Sequence, residues 1–366
     1  MNDVPPAPPS APPLPVRIAG LGAHLPPRIV ASAEIEARCG LPAGWAERYN
    51  GVRERRWAAP GDTNSAYAAI AVRAAIADAG LALGDIDLLV FASGTPEQAI
   101  PDGGPLTLRA LGLGGAGVAA FSVHATCLSF LAALDAVAGL VAAGRYRAAV
   151  IVSAEIASIG INYDQPESAT LLGDGAAAAV VVPWGGAAAP GAASSGALST
   201  DGAATSRTGS SGGPSRIEAA RFEAYGDGAA LTEVRGGGTR RHPTNPATEA
   251  ADNLFHMDGP ALLRLVRRHG PGFLERLRPG LSAGLGDIDV VIPHQASLAG
   301  LRLLGRFGWP DDRVVTTLER YGNCVAASLP LTLWEAVRTG RLVRGQRALL
   351  VGTGAGVSMG GMVVVY

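Results

Sequence analysis

A tetrapeptide, Gly-Asp-Ile-Asp, occurs twice in this chain, each time running straight into an apolar strand-like segment: GDIDLLVFASG at 84–94 and GDIDVVIPHQA at 286–296. Each copy follows a helical segment and precedes another, the pattern left by one α/β unit used twice. The same four residues also make an ordinary cap before a strand, so duplication and coincidence both stay open on this pattern alone. Further apolar runs recur as AAVIVSAEI, AAAAVVVPW, RALLVGTG and GMVVVY, and helical periodicity fits 64–80, 127–144, 258–278 and 326–339. Near-continuous apolar strands alternating with helices predict an α/β fold whose sheets are covered on both faces.

With 366 residues, 48% of them hydrophobic and 17% charged, the chain can bury one large core or two fused ones. A formal net charge of −1 gives no general pull toward nucleic acid or an anionic membrane, and neither is expected as a partner. No apolar run approaches the roughly 20 residues of a membrane span, and the start lacks the basic and apolar regions of a secretory signal. Residues 1–15 read as a flexible proline-rich tail and 190–215, rich in Gly, Ala and Ser, as a mobile surface insertion. That leaves 16–189 and 216–366 as the two halves. The turn-rich VRGGGTRRHPTNP at 234–246 reads as a solvated loop, since no Walker-type lysine follows. Cys39, Cys127 and Cys324 lack the spacing of a metal site or a disulfide framework, so reduced thiols in a cytoplasm, and no metal, are expected.

Cys127 sits where a strand ends and a helix begins, in SVHATCLSF. A thiolate there faces unpaired backbone N–H groups and a positive helix end, which would lower its pKa. A lone cysteine in apolar surroundings is more commonly a small buried hydrophobe. Of the six histidines, His294 closes the apolar strand of IDVVIPHQAS, at the carboxyl end where α/β folds put their chemistry, and is the base candidate. His124 is closer to Cys127 in sequence and reads as a supporting residue. Asn323, in ERYGNCVAAS, occupies a tight turn followed by small residues and can donate hydrogen bonds without titrating, though an Asn after Gly is also an ordinary turn residue.

Together these stretches resemble the β-ketoacyl-acyl-carrier-protein synthase III family of the thiolase superfamily. The resemblance rests on the cysteine elbow at Cys127, GDGAAAAVV at 173–181, VIPHQAS around His294, RYGNCVAAS around Asn323, the glycine-rich GTGAGVSMGG, and GVRERRWAAP at 51–60. It implies a five-layer α-β-α-β-α sandwich of two duplicated βαβαβαββ halves, ordinarily a homodimer. It also implies an acyltransferase that forms an acyl-enzyme on Cys127, decarboxylates a malonyl-type thioester, and joins the two, with His294 and Asn323 steadying the enolate. Gly356 matches the glycine whose N–H completes the oxyanion hole with that of Cys127. Trp45 matches the aromatic residue that stacks on the coenzyme A adenine, and Ile100, in EQAIPDGGPL, matches a loop that lines the partner's acyl tunnel. Coenzyme A or acyl-carrier-protein thioesters are then substrates, and no cofactor is implied.

Several positions depart from the family's pattern. Tyr49 stands where an arginine is expected, with Arg48 one place off; Glu167 replaces a second arginine; and Ala299 replaces a carrier-docking arginine, although Arg302 and Arg306 follow on the next helical turns. These departures point to a specialised relative in secondary metabolism. Acyl transfer to an alcohol, an amine or a second acyl thioester without decarboxylation stays open as an alternative. So does a non-catalytic partner subunit, against which the intact Cys-His-Asn set argues. A papain-like hydrolase fits the glycine-rich α/β pattern poorly.

Overall fold

The computed structural model describes residues 12–185, 214–284 and 287–366. Residues 1–11 of the expected tail, most of the expected 190–215 insertion, and Gly286 of the second tetrapeptide lie outside the described residues.

In the first half, β1 (Val16–His24), α1 (Asn64–Asp78), β2 (Leu88–Phe91), α2 (Gly103–Ala110), β3 (Ala119–Ser122), α3 (Ser129–Ala142), β4 (Ala149–Glu155) and β5 (Gly175–Pro183) follow in order. Their strands form a sheet in the order β1-β5-β4-β2-β3, with β2 parallel to β3 and β4, and β5 antiparallel to β4 and β1. The second half repeats the plan with β6 (Arg216–Ala224), α4 (Gly259–Leu277), β7 (Val290–Pro293), α5 (Leu298–Gly305), α6 (Ser328–Arg338), β8 (Arg347–Gly354) and β9 (Ser358–Val365). Its sheet runs β7-β8-β9-β6, with the same parallel and antiparallel pairings. The place of β3 is taken by a single parallel bridge between Val291 and Val314. The chain is therefore βαβαβαββ twice over.

The repeated tetrapeptide has one structural job in both copies. The Asp87 carboxylate accepts from the backbone N–H groups of Arg147 and Ala148 at 2.9 and 3.1 Å, tying the entry of β2 to that of β4. Asp289 accepts from the Arg347 N–H at 2.8 Å and ties β7 to β8 in the same way. The identity thus records a duplicated structural role, and coincidence is set aside.

The layers follow from which faces are apolar. Leu131, Leu134 and Val137 of α3, with Leu329 and Leu333 of α6, fill the space between the two sheets against Ile151, Ile292 and Leu350. Alanine-rich α1 covers the outer face of the first sheet through Ala71, Val72 and Ala75. Phe273, Leu274 and Leu277 of α4 cover the outer face of the second, packing on Val291, Leu349 and Val363. This is the five-layer α-β-α-β-α arrangement, with strands buried on both faces as their unbroken apolar runs require. Among the described residues no helix is long and apolar enough to cross a membrane.

A hairpin of Arg28–Ala31 and Glu54–Trp57 carries a side chain that holds the site's surroundings together. Arg55 is fully buried; its guanidinium donates to the Thr170 carbonyl at 2.6 Å and the Ser32 hydroxyl at 3.0 Å, and burial pulls its pKa down to about 10. Arg55→Met keeps the aliphatic volume but strands both acceptors, so it should lower unfolding stability by about 1–3 kcal/mol. An unchanged urea midpoint would show that the two acceptors find other partners.

Candidate active site

Cys127 occupies an elbow between the end of β3 and the start of α3. Thr126 has φ of +52°, a left-handed conformation rare for a β-branched residue, and it turns the chain sharply enough to set Cys127 at the helix entrance. Ser129 pins the turn: its hydroxyl accepts from the Ala125 N–H at 2.9 Å and donates to the Thr126 carbonyl at 2.6 Å. The backbone N–H groups of Cys127 itself and of Ala355 favour a thiolate at the Cys127 sulfur. Ala355, one residue before Gly356, lines the cavity at this point.

His294 follows β7 and is 95% buried, at 5% exposure, with its N–H bonded to the Val351 carbonyl at 2.8 Å. Its approach to the cysteine elbow depends on Gly352 of β8. A Cβ there would stand 2.6 Å from His294 Cβ and 3.3 Å from Leu128 Cδ2. The imidazole Nδ1 is buried without an intramolecular partner.

Asn323 is held on every side but one. Its backbone N–H donates to the Leu171 carbonyl at 2.8 Å, and its carbonyl accepts from the Gly173 N–H at 3.0 Å, a parallel bridge between the two halves. Gly322, with φ of +66°, lets the chain enter this bridge; any side chain on it would run into the Leu171 carbonyl. The Asn323 Oδ1 accepts from the Val325 N–H at 2.9 Å, which turns Nδ2 outward as the donor, where it reaches the Ala296 carbonyl at 3.3 Å. The amide can therefore present N–H, and not C=O, to a bound oxygen.

Cys127, His294 and Asn323 line one cavity of about 420 Å³, within the range of small-molecule sites. Its mouth carries Trp45 and Tyr49, whose rings lie 4.9 Å apart, together with Asn50 and the carboxylate-bearing Glu167. Ile100 does not line this cavity; it is 86% exposed on the surface of the protomer. His124 is likewise solvent-exposed, and it lies beyond the end of β3. Thr232, with an unpartnered buried hydroxyl, also lines the cavity and carried no sequence signal.

Burial decides the charge states, and it reverses the low thiol pKa expected from the helix entrance. Desolvation, then the nearby Glu155 carboxyl, push Cys127 up to about 11, outweighing the two N–H groups that favour thiolate. Desolvation alone takes His294 down to about 4. The free site thus holds a neutral thiol and a neutral imidazole. Glu155, at the end of β4, is itself fully buried and raised by desolvation to about 7, although it accepts from the N–H groups of Gly94 and Thr95 at 2.6 and 2.8 Å. Alkylation of Cys127 by iodoacetamide in the free protein should accordingly keep rising beyond pH 9. Glu155→Gln, which removes a like charge above pH 7, should shift that profile to lower pH. A plateau below pH 8 in the wild type would contradict these charge states.

With the geometry in place, relatives can be compared. A family profile described as 3-oxoacyl-[acyl-carrier-protein (ACP)] synthase III matches residues 121–202, and one for the C terminal of the same enzyme matches 282–366. The chain is 32% identical over 344 residues to β-ketoacyl-[acyl-carrier-protein] synthase III 1 of Deinococcus radiodurans, covering 94% of this chain and 91% of that one. It is also 32% identical over 344 residues to the acetoacetyl CoA synthase of Streptomyces sp. strain CL190, covering 93% and 96%. The crystal structure of 3-oxoacyl-[acyl-carrier-protein] synthase III from Aquifex aeolicus superposes with a TM-score of 0.77 at 26% identity, over 96% of this chain and all of that one. A thiol from one half meeting an imidazole and an amide from the other, in a twice-built βαβαβαββ sandwich, is accounted for by descent: the chain belongs to the β-ketoacyl-acyl-carrier-protein synthase III family.

Proposed function

We propose that this protein is an acyltransferase that condenses an acyl thioester with a malonyl-type thioester. The observation that carries this reading is the convergence of Cys127, His294 and Asn323 on one cavity with an outward-facing amide N–H.

In the first half-reaction the Cys127 sulfur bonds to the acyl carbon and the donor thiol leaves with a proton, the imidazole of His294 relaying it. In the second, the malonyl group loses carbon dioxide and its electron pair becomes an enolate, whose oxygen takes hydrogen bonds from His294 and the Asn323 Nδ2. A neutral imidazole is suited to this, since it donates without having to surrender a charge. The enolate carbon then attacks the acyl carbon, the tetrahedral oxyanion meets backbone N–H groups at Cys127 and the Ala355–Gly356 turn, and the sulfur departs. The reaction so written needs no resident cofactor.

The mouth bears on the carrier of the acyl group. Trp45 is suited to stacking on an adenine or on a pantetheine arm, but the Glu167 carboxylate on the same lining would repel a diphosphate, which favours a carrier-protein donor over free coenzyme A. Exposed Ile100 and the open edge at Phe121 on β3 are suited to an interface with a second copy, and we place the protein as a homodimer in the cytoplasm, where thioester substrates are made.

The half-reactions should separate on mutation. Cys127→Ala should lose the acyl-enzyme, read by intact mass, yet keep carbon dioxide release from a malonyl thioester. Asn323→Ala should keep acylation and lose about 10²–10³ in condensation, the usual cost of one oxyanion donor. Acylation mapped to Cys324, which is fully buried, or to Cys39 would overturn the assignment. Normal acylation of Cys127 without release from malonyl carrier protein or malonyl coenzyme A would favour plain acyl transfer.

A further inference from the structure

The cavity does not stop at the catalytic residues. It extends between α4 and α5 over the outer face of the second sheet, where its walls are Val266, Phe273, Leu274, Leu303, Leu304 and Phe307. None of these carries a polar side-chain atom, so this part of the cavity repels water and charged or hydroxylated groups and accepts alkyl ones.

The sequence of α4 explains the opening. Gly270, Pro271 and Gly272 lie in the middle of the helix. A residue before proline is ordinarily forced out of the helical region by its own Cβ, and Gly270 escapes that clash. The same missing side chain leaves room toward α5: a Cβ on Gly270 would find only Phe307 Cζ, at 3.8 Å. Beyond this point Phe273 and Leu274 are buried, before it Leu262, Leu263 and Val266 are half-buried, and all five line the cavity. Apolar side chains turned toward an apolar space that reaches a nucleophile form a binding surface for an alkyl chain.

We propose that the space between α4 and α5 is an acyl-chain pocket, which takes the alkyl tail of a medium- or long-chain acyl group carried on Cys127 of the same protomer. It rests on the role of Cys127 given above, but not on the decarboxylation step. It also moves the determinant of chain length away from Ile100, which does not line this cavity.

The test compares Cys127 acylation rates, by intact mass, for lauroyl and acetyl groups offered both on acyl carrier protein and on coenzyme A to the full-length protein. Val266→Phe narrows the pocket from α4 and Leu304→Phe from α5, so one variant stands if the other fails to fold; thermal melts identify folded protein. Each should lower the ratio of lauroyl to acetyl acylation by about tenfold or more, the scale on which apolar pockets discriminate by size. An unchanged ratio in folded variants overturns the pocket. So does Ile100→Gly shifting the ratio when neither of the others does. Failure of both acyl groups, on either carrier, to acylate wild-type Cys127 removes the nucleophile, and this proposal with it. Absence of malonyl decarboxylation alongside the expected ratios overturns only the condensation chemistry and supports the pocket.

Discussion

Two backbone hydrogen bonds hold this active site together. Asn323 donates to Leu171 and accepts from Gly173, and in doing so it fastens a loop of the second half to the edge of the first. Each half contributes an incomplete set: the first supplies a thiol, the second an imidazole and an amide. Without the bridge the Asn323 turn would be an ordinary surface loop, free to swing its side chain. With it, the side-chain oxygen is spent on Val325 and the nitrogen must face the cavity. Arg55, packed beside Gly173 and Gly322, secures the other side of the bridge by holding the Thr170 carbonyl, so a buried cation helps fix the position of the proposed catalytic amide.

Desolvation is the second organising effect, and it acts on Cys127, His294 and Glu155. The same exclusion of water that raises Cys127 and Glu155 lowers His294. The resting site is therefore uncharged at Cys127 and His294, and a thiolate–imidazolium pair is disfavoured until a substrate changes the surroundings. That suits an enzyme whose two half-reactions ask opposite things of one imidazole, to relay a proton in the first and to donate a hydrogen bond in the second. A permanently charged histidine would serve neither well.

Much of this was legible in the sequence because it is written in local patterns. Unbroken apolar runs reported strands covered on both faces, and the repeated Gly-Asp-Ile-Asp reported the duplication, since Asp87 and Asp289 perform the same tethering. Cys127, His294 and Asn323 each stood at the end of a recognisable element. What was hidden is what depends on distant contacts. The thiol pKa was expected low from the helix entrance, and it is high because burial, and after it Glu155, remote in sequence, outweigh that field. The Ala355 N–H at the sulfur and the unpartnered Thr232 hydroxyl have no local signature. The Gly-Pro-Gly of α4 read only as part of a helical stretch, and its meaning comes from facing Phe307 across a cavity.

The account turns on a proposed catalytic pair, Cys127 and His294, held neutral by burial at the seam of two halves. Nitrogen-15 NMR of histidine-labelled protein, with His294 assigned by comparison with His294→Gln, measures this directly. The account predicts a neutral His294 imidazole throughout pH 5–8, titrating only near its lowered value of about 4. A His294 signal that is cationic at neutral pH and loses its proton together with the Cys127 thiol would contradict it.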